Sequence, residues 1–138
     1  MDLIIALIGA LIGGAMTFLT EFIFRYKNKK DNESHFSSIL YYDLKSIENF
    51  VLYDRSSVDI RYSSQWQNLI SNCSFLTDPQ VEHLYNVYDS VYNFDYFYKK
   101  KNSIELTKED CLKNSLLSDH INNENFKSVL QVLKNHIV

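Results

Sequence analysis

Apolar positions run almost unbroken from residue 3 to residue 24 (LIIALIGALIGGAMTFLTEFIF), 22 residues in which Glu21 is the only charge. Coiled as an α-helix at about 1.5 Å per residue, the stretch is roughly 33 Å long, against about 30 Å for a bilayer's hydrocarbon core. The pattern predicts a transmembrane helix. Residues 27–34 (KNKKDNES) are polar and contain no helix breaker, so they read either as a linker or as a continuation of the helix.

Beyond them the apolar spacing becomes that of amphipathic helices. Phe36, Ile39, Leu40, Leu44, Ile47 and Val51 recur at three- and four-residue intervals and predict a helix over 33–53. Residues 54–62 (DRSSVDIRY) read as a loop, with a short strand the lesser alternative because Val58, Ile60 and Tyr62 alternate. Ser63 or Ser64 is placed to cap a helix carrying Trp66, Leu69, Ile70 and Cys73.

The segment TDPQ then announces a strong helix start. Either Asp78 caps with Pro79 in the first turn, or Thr77 and Gln80 form a capping box with Leu76 stapled onto Val81. The helix over 79–101 is apolar almost all round, which predicts the buried centre of the domain. Thr107-Lys108-Glu109-Asp110 resembles a second capping box, opening a helix with Cys111, Leu112, Leu116 and Leu117. Asn122 or Asn123 opens the last helix, striped by Phe126, Val129, Leu130, Leu133 and Ile137.

Glycine and proline usage sharpens the fold class. The three glycines, Gly9, Gly13 and Gly14, all lie in the first apolar run, and Pro79 is the single proline. A sheet needs glycine-bearing turns to reverse its strands, and residues 25–138 have none. The expected fold is therefore all-α, with one N-terminal transmembrane helix followed by a small cytosolic bundle of about five helices. The expected division is a membrane anchor at 1–26, the linker or helix continuation at 27–34 and a helical domain at 35–138.

Charge orients the anchor. Arg25, Lys27, Lys29 and Lys30 follow the apolar run, whereas only Asp2 precedes it. The positive-inside rule then puts the N-terminus outside and the remainder in the cytoplasm of a single-pass inner-membrane protein. A cleaved signal peptide has its basic residues before the apolar run and small residues after it; here Phe22, Ile23 and Phe24 end the run, so the anchor is expected to stay. Residues 31–138 carry a net charge of −5, which argues against a nucleic-acid partner. Lys99, Lys100 and Lys101 read as a solvated helix end.

The anchor is one-sided. At 100° per residue, Ala6, Gly9, Ala10, Gly13, Gly14, Thr17, Thr20 and Glu21, every small or polar residue of the span except Ala15, fall on a stripe about 140° wide, and the opposite face is otherwise Ile, Leu, Phe and Met. Gly9–Gly13 is a GxxxG pair, and Ala6, Ala10 and Gly14 repeat small residues at the same spacing. Small faces let helix backbones approach closely in lipid, where packing drives association. Self-association through this face is the leading expectation. Glu21 stands one turn before Arg25 and pairs with it at the interface, or else faces the interior of a helix assembly.

Tyr85, Tyr88, Tyr92 and Tyr96 fall near one face of the central helix. They read first as core and second as a surface for a protein partner, since tyrosine suits half-buried contacts.

Catalytic chemistry has no signature here. His35, His83, His120 and His136 show no metal-ligand spacing, and the pair His120–Glu124 without a third ligand reads as a surface contact. Cys73 and Cys111 are 38 residues apart, too distant for a CxxC site, and are expected as reduced core residues. No phosphate loop or nucleophile elbow occurs. The sequence implies no enzyme, no cofactor and no metal site. The expected partners are the lipid bilayer, further copies of the chain and a cytosolic protein. Two functions fit: a self-associating effector of a bacterial or phage defence type that permeabilises or signals, or a membrane-anchored adaptor.

Overall fold

A computed structural model describes residues 2–53, 59–99 and 106–137. Among these residues the fold is all-helical: α1 (Asp2–Leu52), α2 (Trp66–Ser71), α3 (Asp78–Lys99), α4 (Lys108–Asn114), α5 (Leu117–Asn122) and α6 (Glu124–Asn135). No strand occurs among the described residues, including 59–62, where alternation left one open; residues 54–58 lie outside the description. Contacts divide the chain into two units, residues 1–32 and residues 33–138.

The first unit is the N-terminal part of α1. It is long and apolar enough to cross a membrane, and none of its apolar window is buried by the rest of the chain. Residues 27–34 are helical, so the polar stretch belongs to α1. With no glycine after Gly14 and no proline in α1, nothing in the backbone chemistry interrupts the ladder there.

The second unit is built around α3, which packs on α2, α4, α5 and α6. Leu84, Val87, Tyr88, Val91 and Phe94 of α3 are buried at the centre of the core. The C-terminal part of α1 contributes Leu40, Leu44 and Ile47 through its large side chains, with Phe50 meeting Phe94 edge to face at 5.4 Å between ring centroids. Ile39, expected on the same stripe, is exposed instead. Ser37 takes a buried place on that face because its hydroxyl donates to the Glu33 carbonyl and sits 3.9 Å from the Cys73 sulfur, which leaves no unpaired polar atom.

The helix ends follow local chemistry. The Thr77 amide donates to Gln80 Oε1 at 3.0 Å, half of the box expected for Thr77 and Gln80, and α3 begins at Asp78. Thr107 and Asp110 form a complete capping box. Asn123 caps α6 by accepting from the Asn125 amide at 2.8 Å. Before α2 the residue at the cap is Gln65, whose amide donates to Ser63 Oγ at 3.2 Å. Lys108 lies 4.3 Å from the centre of the Phe50 ring and donates to the Phe50 carbonyl at 3.3 Å, placing a cation where the last turn of α1 leaves carbonyls unpaired.

The helix expected after Thr107 proves to be two. Leu116 adopts φ 59°, in the left-handed region, and separates α4 from α5. This break turns the Leu116 side chain outward, leaving it 55% exposed, while Leu117 is fully buried. The expected apolar stripe Cys111, Leu112, Leu116, Leu117 thus loses Leu116.

Candidate functional sites

In the first unit, Ala6, Gly9, Ala10, Gly13, Gly14, Thr17 and Glu21 are all exposed. A Cβ built on Gly9, Gly13 or Gly14 meets nothing within 4 Å, so the helix backbone is bare along this face. Thr17 Oγ1 donates to the Gly13 carbonyl at 2.9 Å, and Thr20 Oγ1 to the Met16 carbonyl at 2.8 Å. These hydroxyls therefore satisfy themselves within their own helix and present only a methyl and an oxygen to a neighbour. Glu21 and Arg25 stand 3.7 Å apart, both largely exposed. Lys27, Lys29 and Lys30 follow on the exposed surface of the helix.

In the second unit, the four tyrosines of α3 part company. Tyr85, Tyr92 and Tyr96 are exposed, Tyr92 most of all at 65%, whereas Tyr88 is buried. Tyr88 is held in a contact that periodicity does not reveal. Its hydroxyl donates to Asp43 Oδ2 at 2.6 Å, and Asp43 Oδ1 accepts from the Ser63 amide at 2.8 Å. Trp66 stacks on the Tyr88 ring, 4.7 Å between centroids and 7° between planes, and meets Tyr85 edge to face at 4.9 Å. Burial raises the Asp43 carboxyl above its ordinary value, against the two hydrogen bonds it accepts. Burial also pushes the Tyr88 phenol well up, with the Asp43 charge adding to the effect. Both carboxylate oxygens are engaged, so Asp43 is a pin joining α1, α3 and the turn before α2.

Beside this pin lies an open groove lined by Asp59, Tyr62, Trp66, Asp95 and Lys99. Lys99 Nζ donates to Asp95 Oδ2 at 2.6 Å, so the groove supplies a cation to its own carboxylates. Of the basic run expected as a solvated helix end, Lys99 is exposed and paired in this way; Lys100 and Lys101 lie outside the described residues.

The histidines are placed apart in kind. His35 is exposed. His136 stacks on Phe75 at 3.6 Å between ring centroids. His83 is buried, and its ring lies 5.8 Å from that of His120 at 69°. His120 thus meets a second imidazole across the α3–α5 contact, a neighbour 37 positions away that no local spacing signals. No group of three or more metal-ligating side chains occurs among the described residues. Cys73 and Cys111 are both buried and form no disulfide with each other, and burial pushes the Cys73 thiol up to about 11, which suits an inert core residue.

The chain matches no family model, no curated protein and no solved structure.

Proposed function

We propose that this is a single-span inner-membrane protein that assembles with copies of itself through the Gly9–Gly13 face of α1. What supports this reading most is that bare face: a helix exposed on every side whose three glycines meet nothing within 4 Å of a built Cβ. In lipid such a surface gains by close packing against an equally flat partner, and a second copy of the same helix is one. The basic residues after the span orient residues 25–138 toward the cytoplasm. In this reading the helical domain controls assembly, and the assembled spans permeabilise the membrane or signal across it, an effector of the kind used in bacterial and phage defence.

A second reading is a membrane-anchored adaptor, favoured by the exposed Tyr85, Tyr92 and Tyr96 on α3. Tyrosines of this kind make half-polar, half-apolar contacts with a protein partner.

The test is the molar mass of the full-length protein in mild detergent, beside Gly13→Leu. The assembly reading expects a defined oligomer that the leucine disrupts. A monomer in both cases, or an oligomer indifferent to the leucine, overturns it. Under the adaptor reading, replacing the span with an unrelated apolar helix leaves function intact.

A further inference from the structure

His83 is 7% exposed, and its Nε2 is buried with no hydrogen-bond partner. An orphaned buried ring nitrogen is tolerable in a neutral imidazole, where it is an unprotonated acceptor. It is not tolerable in an imidazolium, where it becomes a charged N–H donor with nothing to receive it. Among the described residues no counter-charge acts on the ring. From α5 the facing titratable group is His120, whose backbone hydrogen-bonds the His83 ring and whose ring opposes a second positive charge. From α6 the facing side chain is Phe126, 6.4 Å away between ring centroids and uncharged. On α3 itself the adjacent Glu82 is exposed, and among the described residues His120 is the charged group that acts on the ring. Desolvation and His120 together lower the His83 imidazole below its ordinary range.

We propose that the His83–His120 contact is a proton-sensitive joint, in which charging His83 releases α5 and α6 from the first half of α3. This inference stands on the geometry of the second unit and does not depend on how α1 meets a membrane. The proton goes onto Nε2, the orphaned nitrogen, and the cost of leaving it unpaired is relieved when the helices part and water reaches the ring. The direction follows from linkage. The open state takes up a proton near the ordinary histidine value of about 6.5, whereas the closed state resists until lower pH. The closed joint is therefore fully favoured above about pH 6.5 and loses up to about tenfold in its closed-to-open ratio for each pH unit below it. Carboxylates titrate mostly below about pH 5, so the window between belongs to histidine.

The experiment is amide hydrogen exchange of the full chain in detergent micelles between about pH 7.5 and about pH 5, corrected for intrinsic exchange rates. The expected result is that α5 and α6 open more as pH falls through that window, that His83→Phe abolishes the dependence, and that the exposed His35→Gln retains it. NMR titration of the His83 ring in the unmutated protein supplies an independent arm, and the proposal expects it to titrate below about 6.5. A flat wild-type profile, a pH dependence that survives in His83→Phe, or a His83 ring titrating at or above its ordinary value would each overturn the proposal.

Discussion

The Tyr88 hydroxyl donates to Asp43 Oδ2 at 2.6 Å across 45 positions of sequence, tying the central helix to α1. Because the Ser63 amide holds the other carboxylate oxygen, the same aspartate fixes the turn leading into α2. The ring that carries this hydroxyl also carries Trp66 on its face, so a polar pin and an aromatic stack share one residue.

Tyr88→Phe keeps the stack and removes the donor. It leaves a half-buried carboxylate oxygen unpaired at neutral pH, at a cost of about 1–3 kcal/mol. Burial already raises Asp43, and the Tyr88 hydrogen bond opposes that rise, so the variant raises it further. A carboxyl raised in the folded state favours folding more as pH falls and it becomes neutral, so the deficit of Tyr88→Phe shrinks in acid. Urea melts at pH 7 and in the carboxylate range read both effects; an equal deficit at the two pH values counts against Asp43 as the cause.

Leu116 is the described non-glycine residue with positive φ, and its side chain is mostly exposed. A left-handed conformation costs an L-residue roughly 1–2 kcal/mol, part of which Gly returns through its freer unfolded chain. Leu116→Gly is expected to stabilise by about 0.5–1 kcal/mol, and Leu116→Ile to destabilise, since a β-branched side chain tolerates that backbone worst. The urea midpoints of the two variants should move in opposite directions.

The threonines of the glycine face separate packing from hydrogen bonding. Thr17 spends its hydroxyl on the Gly13 carbonyl of its own helix. If the face works by close packing, Thr17→Val, which keeps the shape, leaves the oligomer mass in detergent unchanged while Gly13→Leu lowers it. Dissociation by Thr17→Val would mean that the hydroxyl bonds across the interface instead.

Cys73 is expected to resist alkylation in the folded protein. Its thiol is buried and pushed up to about 11, so little thiolate exists at pH 8 and none of it is accessible. Mass spectrometry after iodoacetamide treatment should show modification of Cys73 only when denaturant is added.

Much of the helical layout was legible from side-chain spacing. Leu40, Leu44 and Ile47, the Thr107–Asp110 box, the Asn123 cap and the stripe of α6 from Phe126 to Leu133 are all set by residues within a turn or two of each other, whereas Ile137, expected on that stripe, lies beyond the end of α6 at Asn135. The split at Leu116 was not legible, because neither glycine nor asparagine marks the left-handed residue. Ile39 and Leu116 both follow the apolar period, yet the packed core has room for their neighbours and not for them.

By itself the sequence determined what a chain's own local physics can determine. It specified the apolar run and its one-sided glycine face, the basic flank, the helical spacing and most of the caps. Each of these depends on residues whose relative positions are fixed by a helical repeat of 3.6. Tertiary structure alone decided the partnerships: Asp43 with Tyr88, Trp66 on the same ring, His83 against His120 and Phe75 against His136. These pairs stand 22 to 61 positions apart, and side chains so distant in sequence meet only when helices pack. Three of the four histidines, and Tyr85 and Tyr88 among the four tyrosines on one helix face, took their partners from that packing, since burial, unlike periodicity, belongs to the whole fold.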